Sequence, residues 1–304
     1  VRSSSSYPRK KSGSNGNNGK TPRKAFKTLV KALAAATANQ NDMVYLLQES
    51  NTAASTTDYQ STTLDWNKDG VHLIGVGASP IIGSRSRVAF LSAYDTTSNL
   101  FTLTANNCIV ANIEFFAGVA GTAPTGCMNV VGMRNKIINC QISGIGHLNN
   151  DLAGAYSLQL AGSENMVEAC YIGLDTILRT TCTSEVRITA GTRNIIKDCI
   201  INSMTANTSY KAITWTTGSY HTVTWLINTM MCAPQNRSGV AVPTGALSFA
   251  AAGQVLMLGG AVYGYADVAT ADNANILVSA LGGVASTVTP SVNMGVATGV
   301  DIHA

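Results

Sequence analysis

Five side chains in the middle of the sequence are of types that cleave glycosidic bonds: His147, Asp151, Glu168, Asp175 and Glu185. Such hydrolysis needs two carboxylates about 5–10 Å apart, one giving a proton while the other acts as nucleophile or base. His147, in "GIGHLNND", stands close enough to Asp151 in sequence to serve as a further acid–base group. The opposing reading is statistical. The chain has 16 acids in 304 residues, so four within this span is near background, and no two of them are adjacent. The expectation is therefore that the chain is not an enzyme, with these five residues held as candidates for a glycan-cleaving alternative. Tyr156, Tyr171, Tyr210, Trp215, Tyr220 and Trp225 lie in the same region. They could stack on sugar rings, although core or interface packing is the commoner use of aromatics.

Two other motifs fall short of chemistry. "SNGNNGKT" (residues 14–21) ends like a phosphate-cradling loop, but its first glycine is misplaced and Pro22 removes a backbone N–H where phosphate would bind. The seven cysteines include no C-x-x-C pair, so neither a zinc site nor a disulfide scaffold is indicated. No metal and no cofactor are expected. The thiols read as small buried apolar groups.

Charge is sparse, 12% of residues against about 25% in ordinary soluble domains. It is also unevenly placed. Residues 1–31 carry nine Lys or Arg and no acid, leaving 11 basic against 16 acidic residues in the remainder. Residues 1–19 read as a flexible basic arm, with Arg2, Arg9, Lys10, Lys11 and Lys20 as particle-binding candidates seeking an acidic partner surface. With so few aromatics in the arm, nucleic acid is not the expected partner. No apolar leader is visible in this stretch. Residues 238–304 contain no Lys or Arg and only Asp267, Asp272 and Asp301 as acids. The tail, residues 266–304, nearly uncharged with those three acids alone, is expected to be buried against sister subunits. The uncharged run 246–266 reads as buried strands and not as a membrane span.

The elements that must carry these residues show themselves through a repeat. "NKIINCQISG" from Asn135, "NMVEACYIG" from Asn165 and "NIIKDCIIN" from Asn194 each place an apolar residue at +2, Cys at +5 and Ile at +7. Aligning Asn107, Asn135, Asn165, Asn194 and His221 gives steps of 28, 30, 29 and 27 residues; Asp42 and Asp69 start looser copies. A period of this length means a solenoid, and the absence of helical periodicity after residue 40 selects a parallel β-helix. Ile137 would face inward, the backbone would turn near Asn139, and Cys140 and Ile142 would face inward again. Stacking coils about 4.8 Å apart then makes ladders of Asn135, Asn165 and Asn194 and of Cys140, Cys170 and Cys199. The expected organisation is an all-β parallel β-helix of about eight coils over residues 41–265, a rod of about 40 Å. Residues 20–40 would hold a capping α-helix, with Thr21 as N-cap, Pro22 at its first position and about 16 helical residues.

The repeat resembles the pectate-lyase-type right-handed parallel β-helix superfamily over roughly residues 42–230. The Gly/Asn-rich entry, "TP" turn and helix resemble the start of many such domains. "LDWNKDGVHLIGVG", "NCIVANIEFF" and "NKIINCQISGIGH" are similar to β-helix proteins of tailed phages. The resemblance implies right-handed coiling and a virion component. The chain departs from the catalytic members: it lacks the Asp–Asp pair and G-H-G of polygalacturonase-like proteins and the R-x-P-x-x-R of pectate lyases. The implied role is a capsid decoration or auxiliary head protein on the virion's head surface. It would be a homotrimer bound to the major capsid protein, with no membrane contact. The alternative is a tailspike-type protein that binds or cleaves a host glycan.

Overall fold

The structure is a computed structural model that describes residues 5–6, 13–48, 57–77, 86–90, 99–121, 125–216, 223–233, 242–249, 254–269, 276–279 and 286–287. Lys136–Ile138 and Gln141–Ser143 are short strands separated by a two-residue corner. Asn139 takes φ 51° there, in the left-handed region that a short amide side chain tolerates. The corner resets the alternation, and Ile137, Cys140 and Ile142 are all buried. It recurs at Asn112, Ala169, Asp198 and Asn228, with φ between 45° and 57°, and at Gly259.

The repeated corners build three walls of parallel strands. Wall one has seven strands: Leu64–Trp66, Asn99–Leu103, Gly126–Val130, Tyr156–Leu160, Ser184–Ile188, Lys211–Trp215 and Leu247–Phe249. Wall two includes Met43–Leu47, His72–Val76, Ile109–Ala111, Lys136–Ile138, Met166–Glu168 and Asn194–Lys197. Wall three includes Arg87–Phe90, Glu114–Phe116, Gln141–Ser143, Tyr171–Ile172 and Ile200–Asn202. Val223–Cys232 and Gln254–Tyr263 run through walls two and three without a break. The chain is thus an all-β parallel β-solenoid. Seven strands in wall one make about six turns, or ~29 Å at ~4.8 Å per rise.

Polar ladders hold the coils in register. Asn135 Oδ1 accepts from Cys108 N at 2.8 Å, Asn165 Oδ1 from Asn135 N at 2.9 Å, and Asn194 Oδ1 from Asn165 N at 2.9 Å. Their amide nitrogens donate to the carbonyls of Ala105, Gly132 and Gly162 at 2.9–3.0 Å, so each amide grips the coil before it. Cys140, Cys170 and Cys199 stack in the same manner. Cys170 Sγ accepts from Cys140 N and donates to the carbonyls of Ile137 and Glu168. One coil on, Thr229 takes the equivalent place and its hydroxyl donates to Ile196 and Ile227.

The structure corrects the expected alignment in two places. Lys136 pairs with Ile109, so Asn135 stands over Cys108 and not over Asn107. Asn107 instead joins Arg134, Glu164 and Arg193 at an outer left-handed corner, φ 56–60°. There Glu164 bridges the arginines, with Arg134 Nε at 2.6 Å and Arg193 Nε at 3.1 Å. Likewise Met43 pairs with His72, which sets Asp42 over Val71 and not over Asp69.

The single 16-residue helix is also corrected. Pro22–Lys24 is one 3-10 turn, and α1 covers Leu29–Ala35 only. Residues 25–28 leave the helical path to bury Ala25 and Phe26. Gly19 (φ 69°) lies against the Phe26 ring, where a Cβ would collide with it. Asn15 Oδ1 accepts from Lys27 N at 3.0 Å and Thr28 N at 3.2 Å, and Thr28 caps α1. "SNGNNGKT" is therefore a seat for Phe26. Within the expected arm, residues 13–19 are bonded to this turn and Ser5–Ser6 pairs with Met43–Val44; Arg2, Arg9, Lys10 and Lys11 lie outside the described residues. Leu29, Ala32 and Leu33 of α1 join a core that continues to Tyr265 and Ala269. At the far end the uncharged run forms Leu247–Phe249 and Gln254–Tyr263, as expected of strands. Among the described residues no helix is long and apolar enough to cross a membrane.

Candidate functional site

The loops that leave wall three carry most of the expected site residues, and they stack on one another as the strands do. His147 Nδ1 accepts from Asn149 N at 3.1 Å and so opens the 3-10 turn Leu148–Asn150. Asp151, buried just after that turn, accepts from the backbone of Thr180, Thr181 and Cys182 at 2.7–2.9 Å and from the Thr180 hydroxyl. Both its oxygens are thus occupied in tying one loop to the next. Asn207 repeats the device one coil on, donating to Thr181 and Cys182 carbonyls. The result is a shelf of stacked loops beside wall three.

Glu185 lies inside the solenoid. On wall one the burial pattern of Gly126–Val130, Tyr156–Leu160 and Ser184–Ile188 leaves only the fourth residue of each strand partly exposed. Cys127, Ser157 and Glu185 therefore turn inward together with Met128, Leu158 and Val186. The Glu185 carboxylate accepts from the Ser157 hydroxyl, from Tyr210 Oη at 2.5 Å and from Arg179 Nη2 at 3.5 Å. Both Arg179 and Glu185 have fully buried side chains. Burial, the largest single influence, pulls the guanidinium down, yet Glu185, Tyr210 and Cys182 together outweigh it and hold Arg179 above its ordinary value. Arg179 also donates to the Ile177 and Ile145 carbonyls, which fixes the shelf to the core.

Glu168 sits on the outer face of wall two between Lys136 Nζ at 2.6 Å and Lys197 Nζ at 3.0 Å. Hydrogen bonds from Lys136 and then Lys197 lower its carboxyl. Asp175 is exposed on the shelf, where its Oδ2 accepts from Asn202 Nδ2 at 3.3 Å. The structure thus places Asp151, Glu168 and Glu185 in three separate structural bonds and brings none of them together as an acid and a nucleophile. Among the described residues no group of three His, Cys, Asp or Glu side chains could hold a metal.

What wall three does present is an outward strip. Arg87, Glu114, Gln141, Tyr171, Ile200 and Met230 stand in one cross-strand row. Phe116, Ser143 and Asn202 stand in the next row outward. At one end Arg87 lies 3.2 Å from Glu114 and 4.3 Å over the Phe116 ring. In the middle Gln141 Nε2 donates to Ser143 Oγ at 3.0 Å, and Asn202 Nδ2 donates to Tyr171 Oη at 2.5 Å. Gln141 Oε1 and Asn202 Oδ1 are closed off from solvent and accept no hydrogen bond. Two amide side chains thus stand beside the half-buried Tyr171. Gly173 opens the strip. Its φ of +96° lets the shelf depart, and a Cβ there would collide with the Asn202 carbonyl and crowd Glu185. Of the aromatics named from sequence, Tyr171 is at this site, Tyr210 and Trp215 are fully buried and Trp225 is exposed. Tyr220 lies outside the described residues. Gln141 and Asn202 carry no sequence signal beyond their outward positions in the repeat.

No family model matches the chain, and no curated protein matches it. Solved structures to which it is similar are right-handed β-helix folds. A pectin methylesterase from Aspergillus niger has a TM-score of 0.49 at 15% identity, over 95% of this chain and 94% of that one. Pectate lyase Pel9A has 0.39 at 11% identity, over 90% and 80%. Tailspike protein 2 from Escherichia coli O157:H7 bacteriophage CAB120 has 0.36 at 10% identity, over 77% of this chain and 40% of that one. At these values the likeness carries no argument about this chain.

Proposed function

We propose that this chain is a glycan-recognising parallel β-solenoid of the spike type, borne on a tailed-phage particle, that binds its sugar without cleaving it. The observation that carries the reading is the outward row that sets the half-buried Tyr171 ring beside the amide side chains of Gln141 and Asn202. Amide side chains pair with sugar hydroxyls, and a tyrosine ring supplies an apolar face for the pyranose. The resemblance of the repeats to phage β-helix proteins supports the particle setting. Binding without hydrolysis follows from the structural engagement of Asp151, Glu168 and Glu185. The test is saturation-transfer NMR of the protein against a panel of bacterial surface glycans, with reducing-end release measured in parallel. Tyr171→Ala and Asn202→Leu should weaken binding at least about tenfold, or ~1.4 kcal/mol. A wild-type protein that binds none of the panel, or a Tyr171→Ala variant that binds as well as wild type, would refute the site. Reducing-end release would make it an enzyme.

A second reading, a trimeric capsid decoration protein on the major capsid protein, draws on one observation. Lys20, Arg23, Lys24, Lys27 and Lys31 are all exposed around α1 at the N-terminal end of the solenoid. Such a basic end, with α1 as its plug, suits an acidic shell surface. Peptide mass spectrometry on purified particles separates the two readings: hundreds of copies per particle favour decoration, a handful favour a spike.

A further inference from the structure

The outward row on wall three does not end at Tyr171. Tyr171 pairs with Ile200, Ile200 with Met230 and Met230 with Ala261, so the row runs on for three more strands, about 14 Å at ~4.8 Å per coil. There it meets a cleft of about 350 Å³ lined by the apolar Ile200, Met230 and Ala261 and by the polar Asp198 and Asn228. Asn228 Nδ2 donates to Asp198 Oδ1 at 2.8 Å and ties those two side chains together. Apolar surface set beside a few fixed polar groups, in a volume of this order, is how small-ligand sites are built.

The charges along the row and the cleft cancel, with one exception. Arg87 lies 3.2 Å from Glu114. Three strand steps, about 14 Å, separate it from Tyr171, more than the ~8 Å over which exposed charges act at physiological salt. At the corner Lys136 and Lys197 share Glu168, and Lys197 also lies 3.4 Å from Asp198, so two cations meet two carboxylates. Asp175 is the exception: it is exposed, and among the described residues no Lys or Arg is paired with it. Its Oδ2 accepts from Asn202 Nδ2 at 3.3 Å, and the same amide nitrogen meets Tyr171 Oη at 2.5 Å. A carboxylate only accepts, so it fixes which way the Asn202 amide points. Burial raises the Tyr171 hydroxyl above its ordinary value, the Asn202 bond draws it down, and the Asp175 charge raises it further. One uncompensated negative charge therefore stands beside the ring. We propose that this site takes an uncharged glycan, lying from Tyr171 into the cleft, and that Asp175 rejects sugars carrying a carboxylate or phosphate. The inference rests on the glycan reading of the Tyr171 row. A neutral sugar brings hydroxyl donors to the Asp175 and Asp198 carboxylates. An anionic sugar brings acceptors and a like charge, a mismatch by which a site discriminates against the wrong ligand.

The test starts from a panel of neutral and anionic bacterial surface glycans, ranked by Kd for the full chain in calorimetry. The tightest binder should be neutral. It is then compared with the same glycan after oxidation of its primary hydroxyls to carboxylates, against wild type, Tyr171→Ala and Asp175→Asn, each checked for fold by circular dichroism. Asparagine at 175 keeps an oxygen for Asn202 and removes only the charge. For wild type the neutral form should bind at least about tenfold more tightly than the oxidised one, and the ratio should widen as salt falls from about 150 to about 20 mM. Asp175→Asn should bring the ratio to about threefold or less, while Tyr171→Ala weakens both forms. A tightest binder that is anionic and still depends on Tyr171 would overturn the inference and leave the glycan site standing. A ratio unchanged by Asp175→Asn, or indifferent to salt, would also overturn it. Binding of no glycan, or binding that Tyr171→Ala leaves intact, would remove the site and the inference together.

Discussion

Arg179→Met should unfold the shelf more readily than any surface change in the same loop. Among the described residues the guanidinium is the one cation bonded to the fully buried Glu185 carboxylate, at 3.5 Å from both its oxygens. Removing it leaves that carboxylate with only Ser157 and Tyr210 as donors. Breaking a buried pair from one side costs about 3–5 kcal/mol, because the remaining charge is uncompensated. With a urea m-value of about 3 kcal/mol/M, a loss of ~4 kcal/mol lowers the unfolding midpoint by more than ~1 M. Glu185→Gln alone leaves a buried cation that retains its bonds to the Ile177 and Ile145 carbonyls, so its cost should be smaller. The double variant removes both charges and keeps an amide oxygen for Tyr210. It should recover about 2 kcal/mol or more relative to the sum of the singles, the coupling expected of residues in contact. The assay is urea unfolding of all four proteins followed by circular dichroism. An Arg179→Met variant within ~1 kcal/mol of wild type, or simple additivity in the double, would show that the pair does not act as a unit.

Asn165→Ala removes two bonds at once, stranding Asn135 N–H and the Gly132 carbonyl in the interior, and should cost about 2–5 kcal/mol in the same assay. His72 accepts from Ile109 N through Nδ1 at 3.0 Å, and burial lowers its pKa below the ordinary 6.5. The folded state therefore disfavours the protonated ring, so stability is intact above pH 6.5 and falls as the pH drops through the depressed value. A His72→Gln variant should flatten that part of the pH–stability curve, and an NMR titration of His72 with an ordinary midpoint would contradict it. Burial pushes the Cys108 thiol up to about 11 and Cys182 up to about 12, and Cys170 and Cys199 lie well above the usual range. Native protein treated with a thiol reagent at neutral pH should thus react at no more than the half-buried Cys232, as peptide mapping would show.

The corner at Asn139 was legible because a left-handed residue interrupts alternation and shifts the apolar positions by one, a pattern visible in the residues alone. The register at Asn107 was not, because asparagine serves two different purposes in each coil. At one position it supplies a left-handed backbone, as Asn107 does, and at the next its amide grips the preceding coil, as Asn135 does. Residue type cannot separate the two. The helix is shorter than its stripe for a similar reason: Phe26 and Leu29 continue the helical stripe, yet Phe26 is buried from an extended segment that Asn15 holds from twelve residues away. At the site, the inward turn of Cys127, Ser157 and Glu185 breaks wall one's alternation without a left-handed corner to announce it. The Glu185 carboxylate is consequently the most deeply buried of the four candidate acids.

The asparagine grips also have a mechanical meaning. Each ties a coil to the one before it, across the same gap that the strand hydrogen bonds cross, so a coil is a single rupture unit. A force applied to the two chain ends would peel the solenoid and not shear it, opening the gaps one after another. Each peeled coil of about 29 residues would release ~100 Å of contour length, drawing a sawtooth of evenly spaced teeth in a pulling experiment. The teeth should be tallest across Asn135, Asn165 and Asn194. A rod pressed or sheared through its side walls meets all its gaps in parallel, and is far stiffer than the same rod pulled by its ends.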